Sequence, residues 1–182
     1  MSNQDNAKNS VFDALALLKA DHDKVKNLFR EFESLKNNDD DERKSELVDE
    51  ICYELTVHAM LEEEIFYPVL RSAIDDEDML DEADVEHAGA RDLISQLEVM
   101  YPGDDHFDAT VTVLGEEVAH HIDKEEADLF AAARSAGIDL DDLGEQLAAR
   151  KEELDEDLSS LPSTIDAMEP HAGVRRAPRA PN

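Results

Sequence analysis

Residues 51–70 read ICYELTVHAMLEEEIFYPVL. Ile51, Leu55, Ile65, Phe66 and Val69 recur at helical spacing, and His58 and Glu62 interrupt the apolar stripe they make. Residues four apart on a helix are about 6 Å apart along its axis and nearly in line, so both side chains face the same interior. An imidazole and a carboxylate make poor core there, but half of a metal site. The other half lies in residues 116–130, EEVAHHIDKEEADLF, where His121 and Glu125 repeat the spacing among Leu114, Val118 and Leu129. His120 sits 100° around the helix from His121 and is followed four residues later by Lys124 rather than Glu. His121 is therefore the ligand, and His120 is expected to be exposed or to stand behind the ligands.

Working outward, two more helices each carry one histidine in an apolar stripe. Ser10 is the expected N-cap of a first helix ending near Lys36, with Leu15, Leu18, Val25, Phe29 and Phe32 on one face and His22 among them. The second helix covers 41–72, with Pro68 tolerated only near its end or at a kink. The third, residues 77–100, places Leu80, Ala83, Ala90, Ile94 and Leu97 on one face together with His87. Pro102 and Gly103 stop it. The fourth runs from about 105 to 136, and Gly137 suits the left-handed position that closes a helix. These four, residues 11–136, are predicted to form an all-α, up-down-up-down four-helix bundle.

A further helix is expected over 139–160, with a stripe of Leu140, Leu143, Leu147, Leu154 and Leu158. It carries no inward ligand, so it should pack outside the bundle or cap one end. Residues 1–10 and the Pro- and Arg-containing stretch 161–182 read as disordered.

Composition limits the partners. A formal charge of −30, from 47 acidic and 17 basic residues, repels nucleic acid and anionic membrane. No apolar run is long enough to span a bilayer, and the polar start MSNQDNAKNS has no signal-peptide core. The expected location is the cytoplasm. The single cysteine, Cys52, excludes an intramolecular disulfide and reads as a helix-packing residue.

Together the helices present His22, His58, His87 and His121 with Glu62 and Glu125. Six nitrogen and oxygen donors exceed what one tetrahedral zinc takes, and carboxylates can bridge, so two irons are expected, with Glu62 and Glu125 bridging or shared. A ferritin-like store would want E-x-x-H on two helices, and only Glu117–His120 offers it. A purely structural acidic bundle is the remaining alternative.

The segments DHDKVKNLF (21–29), VHAMLEEEIFYPVLR (57–71), VEHAGARDLI (85–94) and VAHHIDKEEADLF (118–130) resemble the hemerythrin-like proteins of the HHE cation-binding type. That resemblance implies a four-helix bundle holding an oxo- or hydroxo-bridged non-haem di-iron centre. It implies binding of, or reaction with, oxygen, peroxide or nitric oxide, in stress defence or iron handling. Oxygen carriers of this kind use a fifth histidine, four residues from the first on the third helix. Here Arg91 follows His87 and Ala83 precedes it at that spacing. Solvent, a tyrosine (Tyr53, Tyr67 or Tyr101) or a carboxylate such as Glu63 or Glu86 is expected in that place. The resemblance leaves open a binding or sensing protein, acting through a protein partner of unspecified kind, and an enzyme that turns over peroxide or reduces a small oxidant.

Overall fold

The structure, a computed structural model, describes residues 13–36, 38, 40–75 and 77–159. The expected Ser10 cap, the N-terminal segment and the stretch beyond 160 lie outside these residues. Helix α1 spans Ala14–Leu35, and Asp13 is its cap, with its carboxylate accepting the Leu15 N–H at 2.8 Å. Helix α2 spans Asp41–Leu61, opened by Asp40, which accepts the Arg43 N–H at 3.1 Å. Asp41 and Glu42 in its first turn complement the positive end of the helix dipole.

The second expected helix is not uniform. After α2 the backbone widens into a π turn over Glu62–Phe66 and resumes as α3, Tyr67–Ala73. The Tyr67 N–H donates to the Glu62 carbonyl five residues back. Pro68 has no N–H to offer the Glu64 carbonyl, so a wider turn here forfeits less than it would elsewhere. The surplus residue rotates the remainder of the helix about its axis. Ile65 and Val69, expected in the core, are only half-buried, while Tyr67 and Leu70 are buried in their place.

Helix α4 spans Asp78–Leu97 and α5 spans Phe107–Lys124. A second π turn, Glu125–Leu129, joins α5 to α6, Phe130–Ser135, without a proline. Gly137 follows at φ 71°, in the left-handed region expected of it. Helix α7, Leu140–Ser159, lies outside the bundle along α1 and α2, burying Leu143, Leu147 and Leu154. There is no strand among the described residues, and no helix among them is long and apolar enough to cross a membrane.

The fold is thus an all-α, up-down-up-down four-helix bundle, α1, α2–α3, α4 and α5–α6, with α7 added outside. Its core divides into two apolar blocks. One holds Leu15, Leu18, Leu61, Phe66, Leu80, Phe130 and the leucines of α7. The other holds Val25, Phe32, Leu47, Ile51, Ile94, Phe107 and Leu114. Along every bundle helix the chain passes from one block to the other at or beside its histidine. Each fully buried leucine contributes about 1.5–3 kcal/mol, so two such blocks can hold a polar layer between them.

Candidate metal centre

That layer gathers all six residues singled out in the sequence. His22, His58, Glu62, His87, His121 and Glu125 are all buried, Glu62 completely so. Each glutamate is the first residue of a π turn, one helical turn after its histidine. Two overlapping donor groups result: His22, His58, Glu62 and Glu125 in one, and Glu62, His87 and His121 in the other. Glu62 belongs to both. Glu125, expected to be shared as well, falls only in the first, because its Oε2 lies 3.1 Å from His22 Nε2.

The spacing is that of ligands around a cation. His22 Nε2 and His58 Nε2 are 3.1 Å apart, and His87 Nε2 and His121 Nε2 are 3.2 Å apart. Glu62 Oε1 is 3.1 Å from His58 Nε2, and Glu62 Oε2 is 3.3 Å from His87 Nε2. Ligands at right angles on a metal with bonds of about 2.1 Å stand about 3.0 Å apart, which matches. Glu62 Oε1 and both oxygens of Glu125 make no hydrogen bond among the described residues. Buried carboxylate oxygens without partners cost several kcal/mol each unless a cation meets them. The residues present therefore fit a metal.

The far nitrogens show why the Nε2 atoms converge. His22 Nδ1 is 3.0 Å from Glu126, His87 Nδ1 2.9 Å from Glu63, and His121 Nδ1 2.9 Å from Glu86. His58 Nδ1 faces Asp21 Oδ2 across 3.9 Å, too far for a hydrogen bond. A carboxylate holds the proton on Nδ1 and leaves Nε2 as the lone-pair donor, the arrangement typical of metal-binding histidine. Two facing lone pairs about 3 Å apart repel unless a cation or a proton lies between them.

The outer carboxylates form a closed ring. Asp21 precedes His22 on α1 and faces His58 on α2. Glu63 follows Glu62 and holds His87 on α4. Glu86 precedes His87 and holds His121 on α5, and Glu126 follows Glu125 and holds His22 on α1. Cations fix all four in turn: Lys151 of α7 bonds Asp21 at 2.5 Å, Arg91 bonds Glu63, Lys124 bonds Glu86 at 3.1 Å, and Lys19 bonds Glu126 at 3.0 Å. All four carboxyls are held below the ordinary carboxylate range, burial being outweighed by these cations and imidazoles.

Glu63 and Glu86 thus lie behind the histidines and not in the place of the missing fifth one. Of the three tyrosines, Tyr101 is exposed and Tyr53 bonds Asp155 at 2.6 Å. Tyr67 points inward: its hydroxyl donates to Glu62 Oε2 at 3.3 Å and lies 3.4 Å from His87 Nε2. The π turn puts it there, since it stands five residues after Glu62. Phe130, five after Glu125, holds the corresponding place on the other side and stacks on His22 at 5.8 Å. His120 is 70% exposed, apart from the layer. Cys52 is half-buried, and burial pushes its thiol up to about 12, which makes it unreactive.

Charge in the metal-free layer is unequal. Burial opposes the charged form of His58, but the Glu62 and Asp21 carboxylates prevail and raise it to about 10. Glu62, although buried, is held well below the usual range by His58 and His87. Burial and the Glu62 charge push Glu125 well above it, so Glu125 is neutral. Burial and the charge on His58 lower His22 to about 4. Metal-free, the layer holds protons where a metal would hold charge.

Residues 13–133 match the family model described as the hemerythrin HHE cation-binding domain. A protein named a DNA nickase, from a Nostoc species, is 34% identical over 119 residues, which is 65% of this chain. The chain spans about a third of that relative's length, 33%. The crystal structure of a hemerythrin HHE cation-binding domain-containing protein from Mycobacterium kansasii superposes with a TM-score of 0.68 at 27% identity, covering 80% of this chain and 88% of that one. With two thirds of the chain inside the matched family model, this protein belongs to the hemerythrin HHE cation-binding domain family.

Proposed function

We propose that the protein binds two iron ions, held by His22, His58, Glu62 and Glu125 on one side and by Glu62, His87 and His121 on the other, with Tyr67 nearest the place of the missing histidine. The observation that carries this is the pair of donor groups sharing Glu62, with nearest spacings of 3.1–3.3 Å and unpartnered carboxylate oxygens between them. Iron so held would supply electrons to oxygen, peroxide or nitric oxide, and the protein's role would be binding or reaction with such a ligand in oxidative or nitrosative stress or iron handling. The carboxylates behind His22, His87 and His121 would hold the proton on Nδ1 and leave Nε2 to the metal, and the two apolar blocks flank the layer. Turnover of peroxide is a second reading, favoured by the buried Tyr67 hydroxyl, a hydrogen-bond donor 3.3 Å from Glu62. Nicking of DNA is not carried over from the Nostoc relative: most of that protein has no counterpart here, and a charge of −30 repels polyphosphate.

Elemental analysis of protein expressed in iron-replete medium, together with its spectrum in air, tests the proposal. About two irons per chain and near-ultraviolet absorption of the oxidised form are expected. One zinc per chain would overturn it.

A further inference from the structure

Beside the histidine layer, toward the block that holds Phe32 and Phe107, the bundle encloses a cavity of about 370 Å³. Val25, Leu55, Ala90, Ile94, Val118 and Ile122 give it an apolar wall, and the four histidines also line it. It reaches the surface beside Thr56 and Arg91, both exposed. A diatomic ligand needs room for about one water, on the order of 30 Å³, so this space is about tenfold larger than such a ligand requires. An apolar cavity of about 150 Å³ in another protein already takes benzene, and small-molecule sites begin at about 300 Å³.

We propose that this cavity binds an uncharged organic molecule, a compact body of one or two rings or its branched aliphatic equivalent, bearing one hydroxyl-type head directed at the imidazoles. The walls select the body, because they offer apolar surface and a charged group would lose its hydration without replacement. The rim selects against anions. Glu63, Glu86 and Glu117 stand there against Arg91 alone, and Arg91 is already bonded to Glu63. It offers a cation Glu117 at most, because Glu63 and Glu86 are engaged by His87 and His121 and by Arg91 and Lys124. The orientation of the head rests on the metal reading above, since the donor atoms lie at that end; the binding of the body does not.

The probe is 2-naphthol at neutral pH, whose emission shifts on entering an apolar site. The chain has no tryptophan to obscure it. Saturable binding at about one per chain is expected to both metal-free and iron-loaded protein. Ala90→Leu and Val118→Phe, from two different helices, fill the space without touching a donor and should weaken binding about tenfold or more. 2-Naphthoate, the same body with a charge, should bind at least about tenfold more weakly than 2-naphthol. Absence of saturable binding to the wild type overturns the proposal. So does unchanged affinity in either folded variant, or equal affinity for the naphthoate. Iron is measured on the same preparations. Protein that binds naphthol but no iron refutes the metal reading and leaves this one standing, and the converse refutes this one alone.

Discussion

In the metal-free protein Glu62 and Glu125 should respond in opposite ways to the same substitution. Glu62 is ionised and is the counter-charge of His58, whose imidazole is raised to about 10. Glu62→Gln leaves that positive charge buried and should cost about 3–5 kcal/mol. Glu125 is held neutral by burial and by the Glu62 charge, so Glu125→Gln exchanges one neutral group for another. The difference appears with pH. A carboxyl raised in the fold keeps its proton where the unfolded chain has released it, so it contributes stability below the unfolded pKa and loses it as pH rises toward the folded one. Wild type should therefore lose stability from Glu125 as pH rises, with a limiting slope of about 1.4 kcal/mol per pH unit while the folded carboxyl keeps its proton, a loss the glutamine variant lacks. Raised His58 adds a falling slope of its own above the ordinary imidazole range, but both proteins share it. Guanidinium melts of metal-free protein between about pH 5.5 and 7.5 should show Glu125→Gln gaining stability relative to wild type as pH rises. Parallel pH profiles for the two would refute the assignment of the proton to Glu125. Equal costs for the two substitutions at the acid end would refute the asymmetry altogether.

Four further outcomes are expected. If the proposed iron reading holds, Tyr67→Phe should lower iron stoichiometry in elemental analysis, while the metal-free melt changes little because the hydroxyl makes only long bonds of 3.3–3.4 Å. Glu86→Gln should weaken metal binding about 10–100-fold in a chelator competition, since the amide no longer holds a negative charge on His121 Nδ1. His121→Ala should lose metal and His120→Ala should not, in keeping with the exposure of His120; equal loss on elemental analysis would reverse the choice between them. Leu147→Ala, at a fully buried position of α7, should cost about 2–5 kcal/mol in thermal or denaturant unfolding.

The sequence carried the parts of this centre whose signal is periodic. His58–Glu62 and His121–Glu125 repeat at four residues, and four histidines stand in four apolar stripes, so helix number, bundle class and the residues that come together could all be read. The π turns could not. A turn closed by five-residue bonds has no propensity of its own, and only Pro68 hinted at one of the two. Missing the turn misplaced Ile65 and Val69 and left Tyr67 as one of three equal candidates. The outer carboxylates were hidden by abundance, since Asp21, Glu63, Glu86 and Glu126 are four acids among 47. Their signal was adjacency. Each sits next to one of the six, as Asp21-His22, Glu62-Glu63, Glu86-His87 and Glu125-Glu126, and each faces the neighbouring helix.

The ring of carboxylates has a consequence for how the protein is made. Each bundle helix turns a carboxylate toward the next helix's histidine, and the circuit closes only when Glu126 returns to His22, 104 residues earlier. A nascent chain that has delivered α1, α2 and α4 already displays three of the histidines, yet His22 has no support and Glu125 has not been synthesised. Any metal captured at that point would meet an incomplete set of ligands and could exchange freely. On the metal reading proposed above, loading would therefore wait for the last bundle helix, because only then can the whole layer form.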